Sequence, residues 1–264
     1  MKRMVSQMAF APIMLAVAAI APAAAQDFQK TYRIEAGGSI SVRNVSGDVV
    51  ITGYDGDAVM VSGTREGRDR EMVEVEDASA GNRVDVRVRY PRNCNCDASI
   101  KFQVQVPRSL RLNFGSSTAS GNIEVSGVSG DVNISAASGN VLVKNVAGEI
   151  KARTASGDVR VQDITGTVNA GSASGDVDVE IARLEGTGDM KFSTASGNVN
   201  VRLPANLDAD IEMSSVSGNL ETNFPIEIQA REEGPGKRAR GRVGNGTRSL
   251  RLSSASGNVS LKSL

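Results

Sequence analysis

Asp158 and Asp176 are the residues whose type and spacing most invite a chemical reading. They stand eighteen apart, in the near-copies "TASGDVRV" and "SASGDVDV". If residues eighteen apart occupy neighbouring layers, about 4.8 Å from one another, the two carboxyls fall near the separation of about 5 Å that suits a retaining glycosidase. Asn122 and Asn140 hold the same place in the two preceding copies, however. An acid pair would not accept an amide in its stead, whereas a turn accepts either. The expectation is therefore turn residues, with no catalytic residue and no enzyme.

The remaining candidates are few. The chain has no histidine, and its two cysteines, Cys94 and Cys96 in "NCNCD", could close a small ring or remain reduced. Two thiols without histidine fall short of a four-ligand zinc site, so no metal and no cofactor is expected. The segment from Arg231 to Arg248 carries Arg231, Lys237, Arg238, Arg240, Arg242 and Arg248 against Glu232 and Glu233, a net of +4, with five glycines and a proline between. Read as a basic, glycine-rich loop, it is the one candidate for holding an anionic ligand. A solvated insertion would have the same composition.

What must position these residues is a repeat. Gly121, Gly130, Gly139, Gly148, Gly157, Gly166 and Gly175 are nine apart, and two kinds of turn alternate, so the unit is eighteen residues in two unlike halves. Apolar residues fall two and four places after each glycine, as at Val141 and Val143, or Val159 and Val161. That alternation is a strand with one face inward. A further small or aliphatic residue comes seven places on, at Val128, Ala137, Val146, Ala155, Ile164 and Ala173. Places two and four cannot share a face with place seven unless the chain turns a corner between them.

The predicted fold is all-β, a single-domain β-solenoid, β-helix-like, with about 18 residues per two-stranded coil and an irregular β N-terminal cap. Stacked coils would align Val141, Val159 and Val177 in one inner column, Val143, Val161 and Val179 in a second, and Ile134, Ala152, Ala170 and Phe192 in a third. Capping strands would fill 26–115 and repeats 116–264. The phrase returns at Gly197, Gly218 and Gly257 after gaps of 22, 21 and 39. These gaps equal one, one and two coils with insertions near 184–188, 203–208 and 231–248, which should bulge out as loops.

Met1 to Ala25 has the basic start, apolar run and small-residue cut site of a cleavable signal peptide, leaving a domain of 26–264. The apolar run is shorter than the roughly 20 residues of a membrane span. The mature chain then holds 28 Lys and Arg against 30 Asp and Glu, a balance that excludes a globally basic nucleic-acid binder. From Ser116 to Val201 the sole aromatic is Phe192, so stacking platforms for sugars are missing.

The mature chain resembles the bacterial putative adhesin family, domain of unknown function 4097, in "GGSISVRNVSGDVVITG", "FQVQVPRSLRLNFGSSTASGNIEV", the Ser-Gly-Asp/Asn-Val ladder and "RSLRLSSASGNVSLKSL". The resemblance implies a β-solenoid located in the cell envelope and carries over no catalytic residue. The expected function is a non-catalytic binding or scaffolding surface, periplasmic or at the cell surface, serving adhesion, envelope maintenance or a stress-related role. Its partner would be an envelope or surface component, a protein or an anionic polysaccharide. The alternatives are a β-helix polysaccharide lyase or hydrolase, and a protein that self-associates.

Overall fold

A computed structural model describes residues 27–230 and 236–264; the leader Met1–Ala25 and Arg231 lie outside them. The chain forms one sheet of β1 (Phe28–Tyr32), β2 (Ser39–Arg43), β3 (Val49–Tyr54), β4 (Val59–Glu66), β5 (Glu74–Asp77), β6 (Arg83–Arg89), β7 (Ser99–Pro107), β8 (Asn113–Ser120), β9 (Ile123–Ser126), β10 (Val132–Ser138), β11 (Val141–Ser156), β12 (Val159–Ser174), β13 (Val177–Arg183), β14 (Met190–Ser196), β15 (Val199–Leu203), β16 (Ala209–Ser217), β17 (Leu220–Thr222), β18 (Glu227–Ala230), β19 (Lys237–Val243), β20 (Ser249–Ser256) and β21 (Val259–Ser263). No α-helix occurs among the described residues.

The eighteen-residue period sets the register. Val141 pairs with Val159 and Val159 with Val177, all in parallel, and Ile150 pairs with Val168 in the same two strands β11 and β12. The coil is thereby folded into two walls. The first sets β6, β2, β8, β10, the second halves of β11 and β12, β14, β20 and β16 side by side in parallel. The second does the same with β7, β3, β9, the first halves of β11 and β12, β13, β15, β21 and β17. The predicted columns are buried between the walls, including Ile134, Ala152, Ala170 and Phe192. Each such valine contributes about 1.5 to 3 kcal/mol by leaving water.

The seventh place behaves differently in the two halves. Val128, Val146 and Ile164 are buried, but Ala137, Ala155 and Ala173 are exposed, and it is the sixth place, Ala136, Thr154 and Ser172, that turns inward. Parity explains the difference. Asn145 and Asp163 adopt φ of 52° and 55°, and this left-handed residue reverses the alternation before Val146 and Ile164. In the other half the strand runs unbroken from Val132 to Ser138, so places two, four and six share one face.

Coil order also departs from chain order at both ends. The coil of β2 and β3 lies between that of β6 and β7 and that of β8 and β9. At the other end the last coil, β20 and β21, is inserted between β14 with β15 and β16 with β17. The gap of 39 therefore does not represent two successive coils. Part of it is a hairpin, β18 and β19, laid antiparallel on β16. This corrects the expectation of a loop at 231–248, since Lys237–Val243 is strand. A run that adds a strand to an open edge satisfies backbone groups that a loop would leave to water. At the opposite end β4 with β1, and β5, close the two walls antiparallel. Between β6 and β7, Cys94 and Cys96 are joined as a disulfide.

Val161 is fully buried, whereas Arg160 is exposed and reaches Asp178 at 3.6 Å. Val161→Ala should therefore cost about 1 to 3 kcal/mol, and Arg160→Ala less than about 0.5 kcal/mol. Denaturant unfolding of the two variants measures this, and equal losses would mean that the strand faces are misassigned.

Candidate functional site

The recurring phrase Ser-Gly-Asn/Asp, in most copies preceded by Thr/Ser-Ala, forms one corner of the coils from β2 and β3 onward, and its residues have separate physical duties. The Oδ1 atoms of Asp48, Asn122, Asn140, Asp158, Asp176, Asn198 and Asn258 each accept the backbone N–H of the equivalent residue one layer on, ending at Asn219, at 2.7 to 3.0 Å. Three places before most of these glycines, though not at Gly47 or Gly139, a buried hydroxyl donates to the corner glycine carbonyl of the adjoining coil. Thr154 reaches Gly139, Ser172 reaches Gly157 and Thr194 reaches Gly175, all at 2.9 Å. Ser254 and Ser215 do the same at 2.8 Å. At Gly157, with φ of 132°, an added Cβ would lie 2.4 Å from the Gly139 carbonyl oxygen, so only glycine fits.

Asp158 and Asp176 are thus occupied as backbone acceptors. Their Oδ1 atoms face along the column, Asp158 towards the Asp176 N–H and Asp176 towards the N–H and the Nδ2 of Asn198. An amide oxygen does the same work, which is why Asn alternates with Asp.

The described cations of the basic segment are tied down in place, three of them by carboxylates. Arg238 and Arg240 both bind Glu212, and Arg242 binds Asp210 at 2.6 Å. Lys237 donates to Asn219 Oδ1 at 2.6 Å, and Arg248 donates to the Gly186 carbonyl at 2.7 Å. Hydrogen bonds from Arg238 and then Arg240 hold the Glu212 carboxyl below its usual range, and one from Arg242 does so for Asp210. The segment is therefore a cross-strand ion-pair ladder on β16, where the sequence suggested a free cationic loop.

Charge is instead segregated between the walls. On the second wall charges of both signs are present and several pair across strands: Arg160 with Asp178 at 3.6 Å, Arg202 with Glu180 at 2.5 Å, Lys262 with Glu221 at 3.0 Å. The first wall, over β8, β10, the second halves of β11 and β12, β14 and β20, carries Lys151, Arg153, Lys191 and Arg251 against a single acid, Glu149 at the start of the second half of β11. Ser117, Asn133, Ser135, Asn169, Ser193 and Ser253 fill outward positions between them. Along the chain the outward residues of the two halves interleave, so their charges look mixed. Sorting them by half of the coil would have revealed the difference.

A family model described as Toastrack DUF4097 matches residues 37–262. The chain belongs to the Toastrack family. Several solved structures align with 90% of this Toastrack chain. One is a putative cell adhesion protein from Clostridium sporogenes, with 13% identity, 99% of that chain covered and a TM-score of 0.38. Another is a putative adhesin from Bacteroides fragilis, with 13% identity, 96% covered and a TM-score of 0.38. A third is a putative adhesin from Parabacteroides distasonis, with 12% identity, 96% covered and a TM-score of 0.41. No curated protein matches the chain.

Asp158→Asn with Asp176→Asn should leave the stability of this Toastrack domain within about 0.5 kcal/mol of the parent. Asp158→Ala, which removes the acceptor for the Asp176 N–H, should cost about 1 kcal/mol. Chemical denaturation of the three proteins decides it; a large loss in the double amide variant would mean the carboxylate charge is needed.

Proposed function

We propose that this Toastrack chain is an exported, non-catalytic β-solenoid that presents a binding or scaffolding surface in the bacterial cell envelope. The observation that carries the reading is the corner column, in which one oxygen of each carboxylate, Oδ1 of Asp158 and of Asp176, accepts a backbone N–H as an Asn amide does at the equivalent places. A glycosidase or lyase needs carboxyl groups free to face a substrate, and these are turned along the column instead. The leader pattern at Met1–Ala25 supports export, and among the described residues no helix is long and apolar enough to cross a membrane. A role in adhesion or envelope maintenance follows from the long, regular outer surface of stacked coils, since repeat solenoids use extended faces for recognition.

Two measurements test this proposal. Expressed in a bacterial host with its leader, the protein should be recovered from the envelope fraction with Gln26 as its first residue, read by mass spectrometry. Incubated with peptidoglycan, polygalacturonate or alginate, it should release neither reducing ends nor unsaturated uronides. Retention in the cytoplasm with an intact leader would remove the export reading, and product release that Asp158→Asn abolishes would restore the enzyme.

A further inference from the structure

We infer that the outer face of the first wall, centred on Gly171, binds a linear acidic polysaccharide; this rests on the surface-presenting role proposed above. Gly171 faces outward between Arg153 and Ser193, in register with both, while Asn169 lies between Lys151 and Lys191 one row away. Because Gly171 has no side chain, the wall is indented there. The open notch of about 290 Å³ is lined by Arg153, Asn169, Gly171, Ser172, Lys191 and Ser193, among others, with no carboxylate.

The availability of the cations is what distinguishes this face. Lys151 is held by Glu149 at 2.9 Å and Arg251 lies 3.7 Å from Glu212, but among the described residues Arg153 and Lys191 make no ion pair. An unpaired guanidinium and ammonium on either side of a notch fit an anionic group, which they would hold through charge-assisted hydrogen bonds. Arg153 and Arg251 sit three strands apart, about 14 Å at the usual strand spacing. One small anion cannot reach both, whereas a polymer with recurring anionic groups can engage them in turn. The serine and asparagine side chains between them match the hydroxyls of a sugar chain.

Other polyanionic partners fit less well. Neutral glycans are usually held by stacking on aromatic rings, and the outward positions of these strands carry none. A lipid surface needs apolar residues to bury, but of the large exposed ones Val45, Met72, Ile228 and Leu264 lie outside the first wall and Val216 stands alone at the end of β16. Nucleic acids would want stacking platforms or a strongly basic domain.

The test is titration of the mature chain, by isothermal calorimetry or biolayer interferometry, with polygalacturonate, dextran, anionic phosphatidylglycerol vesicles and duplex DNA. Polygalacturonate should bind, more weakly as salt rises, and the other three should not. Arg153→Ala with Lys191→Ala should weaken binding by about tenfold or more. Gly171→Leu, which fills the notch without changing charge, should weaken it severalfold, and Lys144→Ala on the second wall should leave it unchanged. Unchanged circular dichroism of the exposed Arg153 and Lys191 variant keeps the comparison valid even if Gly171→Leu fails to fold. Failure of polygalacturonate to bind, equal binding of dextran, vesicles or DNA, or full affinity without Arg153 and Lys191 would overturn the inference. Binding followed by cleavage would instead overturn the non-catalytic reading, so the two failures are distinguishable.

Discussion

Stacking one coil directly on the next at the corner glycines constrains everything else in this protein. The layer spacing brings backbone to backbone so closely that an added Cβ at Gly121, Gly139, Gly157, Gly175, Gly197 or Gly257 would lie within 2.4 Å of the glycine carbonyl oxygen of the neighbouring coil. Glycine is therefore required by space as well as by its positive φ. With the chain so tightly turned, one N–H and one C=O per corner have no strand partner. The Asn or Asp that follows accepts for the first, and a Thr or Ser three places earlier donates to the second. Leaving either group buried and unpaired costs about 1 to 3 kcal/mol, so the motif repeats as a unit.

Given those corners, the walls follow from simple alternation. Valine and isoleucine, branched at Cβ, suit a pleated surface buried on one side, and short strands suffice because every coil borrows its neighbours' apolar face. The same economy makes the ends vulnerable, since an unpaired terminal strand is a template for further stacking. The chain answers twice in the same way. An early coil and the last coil are each tucked one layer inward, and antiparallel strands cover the outermost layers. The first and last described strands, β1 and β21, are tied into the stack, and β19 brings with it the arginines that pair with Asp210 and Glu212.

Function, on this architecture, is a matter of which outer positions are free of structural duty. The corner acids accept backbone N–H groups, the second wall pairs several of its charges across strands, and the β19 arginines are ion-paired to β16 carboxylates. Between β8 and β20 the first wall keeps four cations with one acid, Glu149. Exposed pairs contribute little to stability, so this asymmetry is not demanded by folding.

The sequence by itself determined the eighteen-residue period, the corner phrase, the three inner columns and the equivalence of Asn with Asp, because each is a local property repeated in register. It also contained the scarcity of acids between β8 and β20 of the first wall, legible once the halves are kept separate. The tertiary structure alone decided which seventh-place residues turn inward, because that hangs on the left-handed backbone of Asn145 and Asp163, which any residue of these types can adopt or avoid. It alone decided that β20 enters between β14 and β16, and that Arg238, Arg240 and Arg242 meet Glu212 and Asp210. Contacts across such separations in the chain leave no periodic trace, since their partners are brought together by edge closure rather than by a repeated spacing.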